Sequence, residues 1–312
     1  MKFLVLLAAT LMSAFGIEQP AGTNQYDSAI WAAQRVENIT TWGQNPGLGE
    51  LFTKLQGERI FSYGVLSIAM LVVGAFVLHY LLVGPKHFSH DGKKIFAFSL
   101  IVRVAHALAA ISWIVLVPTG VMMLWGDVLG GGAFIRGAKN MHGLATIIFA
   151  VAVLPLLFSW FYRMLPRIYD IKWLIIVGGY LSKKKATVPA GKFNAGQKMW
   201  YWIAIPGGLV MIATGAAMYF LDFGVVSAGL DMSQINLLRL SAIVHSSLGV
   251  VCAIFFLVHI YMSAIAIKGA IHSMISGYKE EEEVYYLHHY WYEELLKEGK
   301  IEPYSPTENK GH

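Results

Sequence analysis

Arg239 to Lys268 reads RLSAIVHSSLGVVCAIFFLVHIYMSAIAIK. Between its two end charges stand twenty-eight residues without Asp, Glu, Lys or Arg. As a helix this run is roughly 42 Å long at 1.5 Å per residue, enough to cross a hydrocarbon core of about 30 Å. The stretch is expected to span a membrane. Its strongly polar side chains at depth are His245 and His259, and ionisable groups inside a bilayer are costly enough that they face a partner or a cofactor. Their spacing of fourteen residues comes within about 40° of a whole number of turns, so both rings project from nearly one face, roughly 21 Å apart along the axis. One helix thus offers two ligands at two depths.

The rest of the composition agrees. With 56% hydrophobic residues in 312, a mean hydropathy of +0.55 and apolar residues grouped in blocks, the chain is too apolar for a soluble domain. It reads as a polytopic membrane protein. The formal charge of +5 is concentrated in particular loops, the pattern that orients a membrane protein, so nucleic acid is excluded as a partner and the lipid bilayer is the expected one. Cys252 is the single cysteine and lies mid-span, which excludes an internal disulfide, a cysteine metal cluster and covalent haem attachment through CxxCH.

Upstream of the opening stretch, residues 222–238 carry no Lys or Arg and Met199 to Leu221 is a further span. Residues 163–198 hold the densest set of positive charges and are placed in the cytoplasm; within them DIKWLIIVGGYL is too short to span and is expected at the interface. Met141 to about Leu165, Ile95 to Trp125 and Ile60 to Val83 are the other three spans, with Pro118 tolerated inside the second and GPKHFSHDGKK forming a cytoplasmic loop. Residues 126–140 make a Gly-rich turn on the far side. Five spans put the N terminus outside and the C terminus inside a bacterial inner membrane. Residues 1–16 resemble a secretory signal peptide, or else an uncut anchor, and residues 17–59 follow outside the cytoplasm. The tail, residues 269–312, contains the acidic run Glu280 to Glu283 and is most simply a solvated cytoplasmic helix.

Topology sorts the intramembrane histidines. His142 opens a helix that starts outside and His245 stands six residues into another, so these two share the outer level. His106 and His259 share the inner level. Paired neutral imidazoles from facing helices are what a six-coordinate b-type haem needs, so two non-covalent haems b are expected. Their propionates need cations. Arg103 and Lys139 each stand three residues before a ligand, and Arg239 six before His245; for Lys139 and Arg239 a snorkelling cation that marks a helix end is an equally good reading. His79 has no partner at its depth and is expected to make a helix-to-helix hydrogen bond or to handle protons. Gly207, Gly208, Gly215 and Gly249 leave room for a porphyrin or simply for close packing.

RVAH at Arg103 to His106, His142 near the head of its span, FNAGQK at Phe193 to Lys198, RLSAIVH with HIYMSAIAIKG, and HHYWYEE near the tail together resemble the cytochrome b (gamma) subunit of membrane-bound respiratory formate dehydrogenases, over about residues 98–294. The resemblance implies an all-α membrane protein, a transmembrane bundle whose dihaem four-helix core spans residues 95–268, with residues 60–83 an extra N-terminal span. It implies the same four haem ligands, and a cytoplasmic quinone site at Asn194, Gly196, Gln197 and His259; without it, FNAGQK is a simple turn before a helix, though its amides suit a quinone carbonyl. The implied partners are an iron–sulfur (beta) subunit and a molybdopterin-containing catalytic (alpha) subunit. Electrons would pass from the periplasmic iron–sulfur subunit through the two haems to quinone, expected to be menaquinone, in anaerobic respiration, with no formate chemistry on this chain itself. The alternatives are the similar cytochrome b subunit of an uptake hydrogenase and, in another class, a haem-free transporter that uses the histidines for protons.

Overall fold

The structure, a computed structural model, describes residues 47–90, 92–220 and 233–305. The expected signal peptide, most of the outer segment and much of the loop before the last span lie outside the described residues. Among the described residues five helices are long and apolar enough to cross a membrane, at Ile60–Leu82, Leu100–Leu124, Gly132–Met164, Ala195–Tyr219 and Gln234–Ala266. In lipid a spanning backbone must satisfy its own hydrogen bonds, so these uncharged runs of Leu, Ile, Val and Ala fold as helices.

In chain order the elements are α1 (Gly47–Gly57), α2 (Ile60–Leu82), β1 (Lys94–Phe96), α3 (Leu100–Leu124), α4 (Gly132–Trp160) and α5 (Ile168–Ile175), then α6 (Ala195–Ala204), α7 (Pro206–Phe220) and α8 (Gln234–Ile260). The last span continues past α8 as a π-helical segment, Tyr261–Ala266. Then come α9 (His272–Ser276), β2 (Tyr278–Glu280), α10 (Glu281–Leu287) and α11 (His289–Lys297).

Three span ends differ from expectation. Residues 94–96 pair as a strand, so the second span starts at Leu100 rather than Ile95. The third starts at Gly132, nine residues early, because the Gly-rich turn needs only its first half; His142 is therefore ten residues inside α4. The fourth begins at Ala195 and breaks between Ala204 and Pro206, since Pro206 lacks the amide that α6 would need to continue.

The chain divides into two compact units, each holding a segment of every spanning helix. In the first (described parts of residues 47–67, 111–150 and 207–253), the start of α2 is tied to the end of α3. Arg59 pairs with Asp127, the Ser62 hydroxyl donates to the Leu124 carbonyl at 3.0 Å, and Tyr63 meets Trp125 edge-on at 5.4 Å. Trp113 and Phe149 pack edge-to-face in its core.

In the second unit (residues 68–110, 151–206 and 254–305), β1 and β2 form an antiparallel ribbon that pairs Ile95 with Lys279. A core of Phe88, Trp173, Val188, Ala195, Ile267 and Leu287 binds the tail to the loops between spans. The tail is accordingly packed rather than solvated: Lys279, Glu283, His288, Trp291 and Tyr292 are all buried. Lys279 pairs with Glu283 and stands 3.4 Å from His288 Nε2, while His288 Nδ1 donates to the Gly191 carbonyl at 2.9 Å. Burial, reinforced by the neighbouring Lys279 charge, pulls the His288 pKa down to about 3. Helix α5 turns Asp170 and Trp173 inward and leaves Ile168, Ile171 and Ile175 exposed, the amphipathic pattern of an interfacial helix.

Candidate haem sites

The structure brings four of the span histidines together as two pairs. His142 of α4 and His245 of α8 lie in the first unit with ring centroids 6.3 Å apart; His106 of α3 and His259 of α8 lie in the second, 6.2 Å apart. An imidazole centroid lies about 1.1 Å behind its ligating nitrogen and a metal-to-imidazole bond is about 2.0 Å, so two rings on opposite sides of one iron stand roughly 6.2 Å apart. Both pairs meet that separation.

Each ring of the first pair is met by a Thr-Gly step from the preceding helix. Thr119 Oγ1 lies 2.9 Å from His142 Nδ1 and also donates to the Val115 carbonyl at 2.6 Å. Thr214 Oγ1 lies 3.0 Å from His245 Nδ1 and donates to the Val210 carbonyl at 2.8 Å. With its proton committed to the backbone, each hydroxyl accepts from Nδ1–H, which leaves Nε2 as the lone-pair nitrogen for a metal. The adjacent glycines keep the rings clear: a Cβ on Gly120 would stand 3.6 Å from His142 Cε1, and one on Gly215 3.3 Å from His245 Cε1. An apolar-walled cavity of about 230 Å³ opens here, lined by both histidines and by Trp113, Phe149, Met211 and Gly249. Of the glycines singled out in the sequence, Gly215 thus faces the His245 ring, Gly249 lines the cavity, and Gly208 serves packing, since its Cβ would fall 2.6 Å from Phe149.

The second pair is framed by indoles. His259 stacks on Trp200 of α6, centroids 5.4 Å apart and planes 20° apart, and His106 tilts against Trp160 of α4 at 6.4 Å. Arg103 donates through Nη1 to the Ile275 carbonyl at 2.7 Å, but its buried Nε has no hydrogen-bond partner. A buried guanidinium N–H unpaired among the described residues, one turn before His106, suits an anionic propionate. Lys139 instead lies exposed over the Tyr219 ring at 4.8 Å, and Arg239 donates to Asn236 at 3.1 Å, engagements that suit the helix-end reading. The donor set therefore fits haem, which the imidazoles of each pair would hold, with Arg103 as the best-placed cation.

FNAGQK forms the start of α6. Asn194 Oδ1 accepts from the Gln197 amide at 2.9 Å and Gln197 Oε1 accepts from the Asn194 amide at 3.0 Å, a reciprocal cap. Both side-chain carbonyls are thus used, and the buried Asn194 amide meets the Tyr180 hydroxyl, so the Gln197 amide N–H is what the loop has to offer a ligand. Gly196 packs against Trp173, and Lys198 is locked to Asp170 at 2.7 and 3.0 Å.

His79 makes the helix-to-helix bond expected of it, to Tyr261 and the Tyr180 carbonyl. Sequence reasoning missed Thr119, Thr214, Trp160 and Trp200. The available signal was the Thr-Gly dipeptide occurring mid-span in both the second and the fourth spans.

Spanning helices that present facing imidazoles between them define a class, the all-helical membrane cytochromes. The chain belongs to the prokaryotic cytochrome b561 family, which matches residues 97–277, and a cytochrome b family implies haem b. The match runs from the end of β1 to the turn before β2 and leaves α2 outside it. Among similar proteins, the nitrate-inducible formate dehydrogenase cytochrome b556(Fdn) subunit of Escherichia coli is 28% identical over 166 residues, 52% of this chain and 73% of the relative. The formate dehydrogenase cytochrome b556 subunit of Haemophilus influenzae is 27% identical over 217 residues, 67% and 86% of the two chains. The cytochrome b556(fdo) subunit from Escherichia coli is 22% identical over 160 residues, 51% and 72%.

Proposed function

We propose that this chain is the dihaem cytochrome b subunit of a formate dehydrogenase complex, moving electrons from a periplasmic iron–sulfur subunit to a quinone on the cytoplasmic side. The observation that carries this is the presence of two imidazole pairs at axial-ligand separation in a chain whose relatives are named as cytochrome subunits of formate dehydrogenase. Haem b, when bound, supplies reversible one-electron exchange at iron. His142 and His245 would hold one haem, His106 and His259 the other, with Arg103 meeting a propionate and Lys139 and Arg239 as weaker candidates.

The charge pattern orients the reading. Lysines concentrated in residues 86–94 and 163–198 favour a cytoplasmic face there, with the His106/His259 pair on that side of an inner membrane, the N terminus periplasmic and the C terminus cytoplasmic. By this reading residues 60–83 are an added span, residues 95–268 the haem-bearing core and residues 269–312 the cytoplasmic tail. The Gln197 amide group, with Asn194 as its cap, Gly196 leaving backbone within reach and His259 nearby in function, would bind a quinone, menaquinone in an anaerobic respiratory chain. Protons for its reduction would come from the cytoplasm, so inward electron transfer would charge the membrane. Formate would be oxidised on a molybdopterin-containing partner, not on this chain.

The test is a redox-titrated absorption spectrum of the purified complex, together with formate-dependent quinone reduction, for wild type and His259→Ala. Two low-spin b components, one lost in the variant along with quinone reduction, are expected. A wild type without haem would overturn the reading. A nickel-containing subunit co-purifying in place of the molybdopterin protein would redirect it to an uptake hydrogenase.

A further inference from the structure

Helix α2 lies outside the family match, and its inner half is joined to the chain just past His259. There the last span changes register. Tyr261–Ala266 is π-helical, and such segments, whose hydrogen-bond geometry is unfavourable, persist where the surroundings hold them and concentrate at functional sites. His79 of α2 is the holding group: its Nε2 lies 2.9 Å from the Tyr180 carbonyl and its Nδ1 2.6 Å from the Tyr261 hydroxyl. A carbonyl only accepts, so Nε2 carries the proton and Nδ1 accepts from the tyrosine O–H.

Phe76, three residues earlier on the same face of α2, stacks on the Tyr261 ring at 4.1 Å with planes 4° apart. The chain leaving α2 then grips the other end of the segment. Lys86 N donates to the Ala266 carbonyl at 2.8 Å, and Lys268 N donates back to the Lys86 carbonyl at 3.0 Å. The π-helical segment is thus pinned at both ends by α2 and its following loop.

We propose that α2 is a clamp on the second histidine pair: His79, acting through the Tyr261 hydroxyl, is a positioning residue that holds the π-helical turn after His259 and so sets where that imidazole stands. The proposal rests on His259 being a haem ligand. It assigns the added span a role in one pair only. The rings of the other pair are met instead by Thr119 and Thr214.

The experiment uses the full-length, haem-loaded protein purified from membranes, with potentiometric spectra and electron paramagnetic resonance of the ferric low-spin haems. His245→Ala and His259→Ala first identify which component belongs to which pair. His79→Phe removes both hydrogen bonds, and Tyr261→Phe removes only the hydroxyl from a ring that stays stacked on Phe76. Both are expected to shift the component lost in His259→Ala while leaving the other unmoved, and to lower quinone reduction roughly tenfold, the lower end for groups that orient a ligand. His79→Gln, which keeps a donor and an acceptor, should restore much of the signal. The clamp is overturned if both variants leave that component unchanged, or if both components move together as in general destabilisation. If the wild type carries no haem, or His259→Ala spares both components, the ligand assignment itself fails and the clamp with it.

Discussion

The two histidine pairs have almost the same ring separation, 6.3 and 6.2 Å, but are held by different chemistry. In the first, threonine hydroxyls take the Nδ1 protons and glycines leave space beside the rings. In the second, Trp200 and Trp160 frame the rings, and a π-helical turn follows shortly after His259. A hydrogen bond from Nδ1 makes an imidazole a stronger donor to a metal, which favours the more oxidised ion; an aromatic frame restrains a ring without adding charge to it. If each pair holds a haem as proposed, the threonine-held one should therefore have the lower midpoint potential. A redox titration giving the opposite order would break the comparison.

The largest expected effect is loss of a ligand. His245→Ala and His259→Ala should each halve the haem content, measured as extractable haem per polypeptide, and should remove different spectral components. Thr214→Val keeps shape but removes the acceptor for His245, and haem retention at that pair should weaken roughly tenfold or more, checked by haem loss on dilution with the second component as internal reference. Trp200→Leu removes a stack worth about 0.5–1.5 kcal/mol, so the His106/His259 component should shift with a smaller loss, on the order of tenfold at most.

Acid should discriminate more gently. His288 is buried neutral in the second unit with its pKa pulled from 6.5 to about 3, so between those values the unfolded chain binds a proton that the folded chain refuses. Stability that is complete above pH 6.5 is lost as the pH falls toward 3. Proteolysis of the tail should accelerate below pH 6.5 in wild type, and His288→Gln should flatten that dependence. Lys192, pulled down to about 8 chiefly by burial, adds a gain on the alkaline side as its charge is relieved. Tail cleavage that is independent of pH would show that this network does not hold the tail.

The five spans and the two facing histidine pairs were legible because hydropathy and uncharged length are properties of a continuous stretch, and because topology alone ranks histidines by depth. Thr119 and Thr214 were not, since a mid-span threonine normally bonds its own helix, and both do so while also meeting a histidine from another helix. The tail misled for a related reason: Glu280 to Glu283 is a charge run that suggests water, yet Glu283 is matched by Lys279 and enclosed with His288. Asn194 and Gln197 stand in what the residues alone suggest is a turn before a helix, and the structure makes them each other's caps there.

By itself the sequence determined that the chain crosses a membrane, where its helices run and which imidazoles lie inside, because the bilayer demands uncharged helices of a set length and tolerates ionisable groups only for a purpose. Which groups orient each imidazole, that the tail is buried, and that α2 grips the turn after His259 were decided only in the tertiary structure. One of those contacts, His79 to Tyr261, joins residues 182 positions apart, and no local pattern specifies where a hydroxyl or an indole on one helix will meet a ring on another.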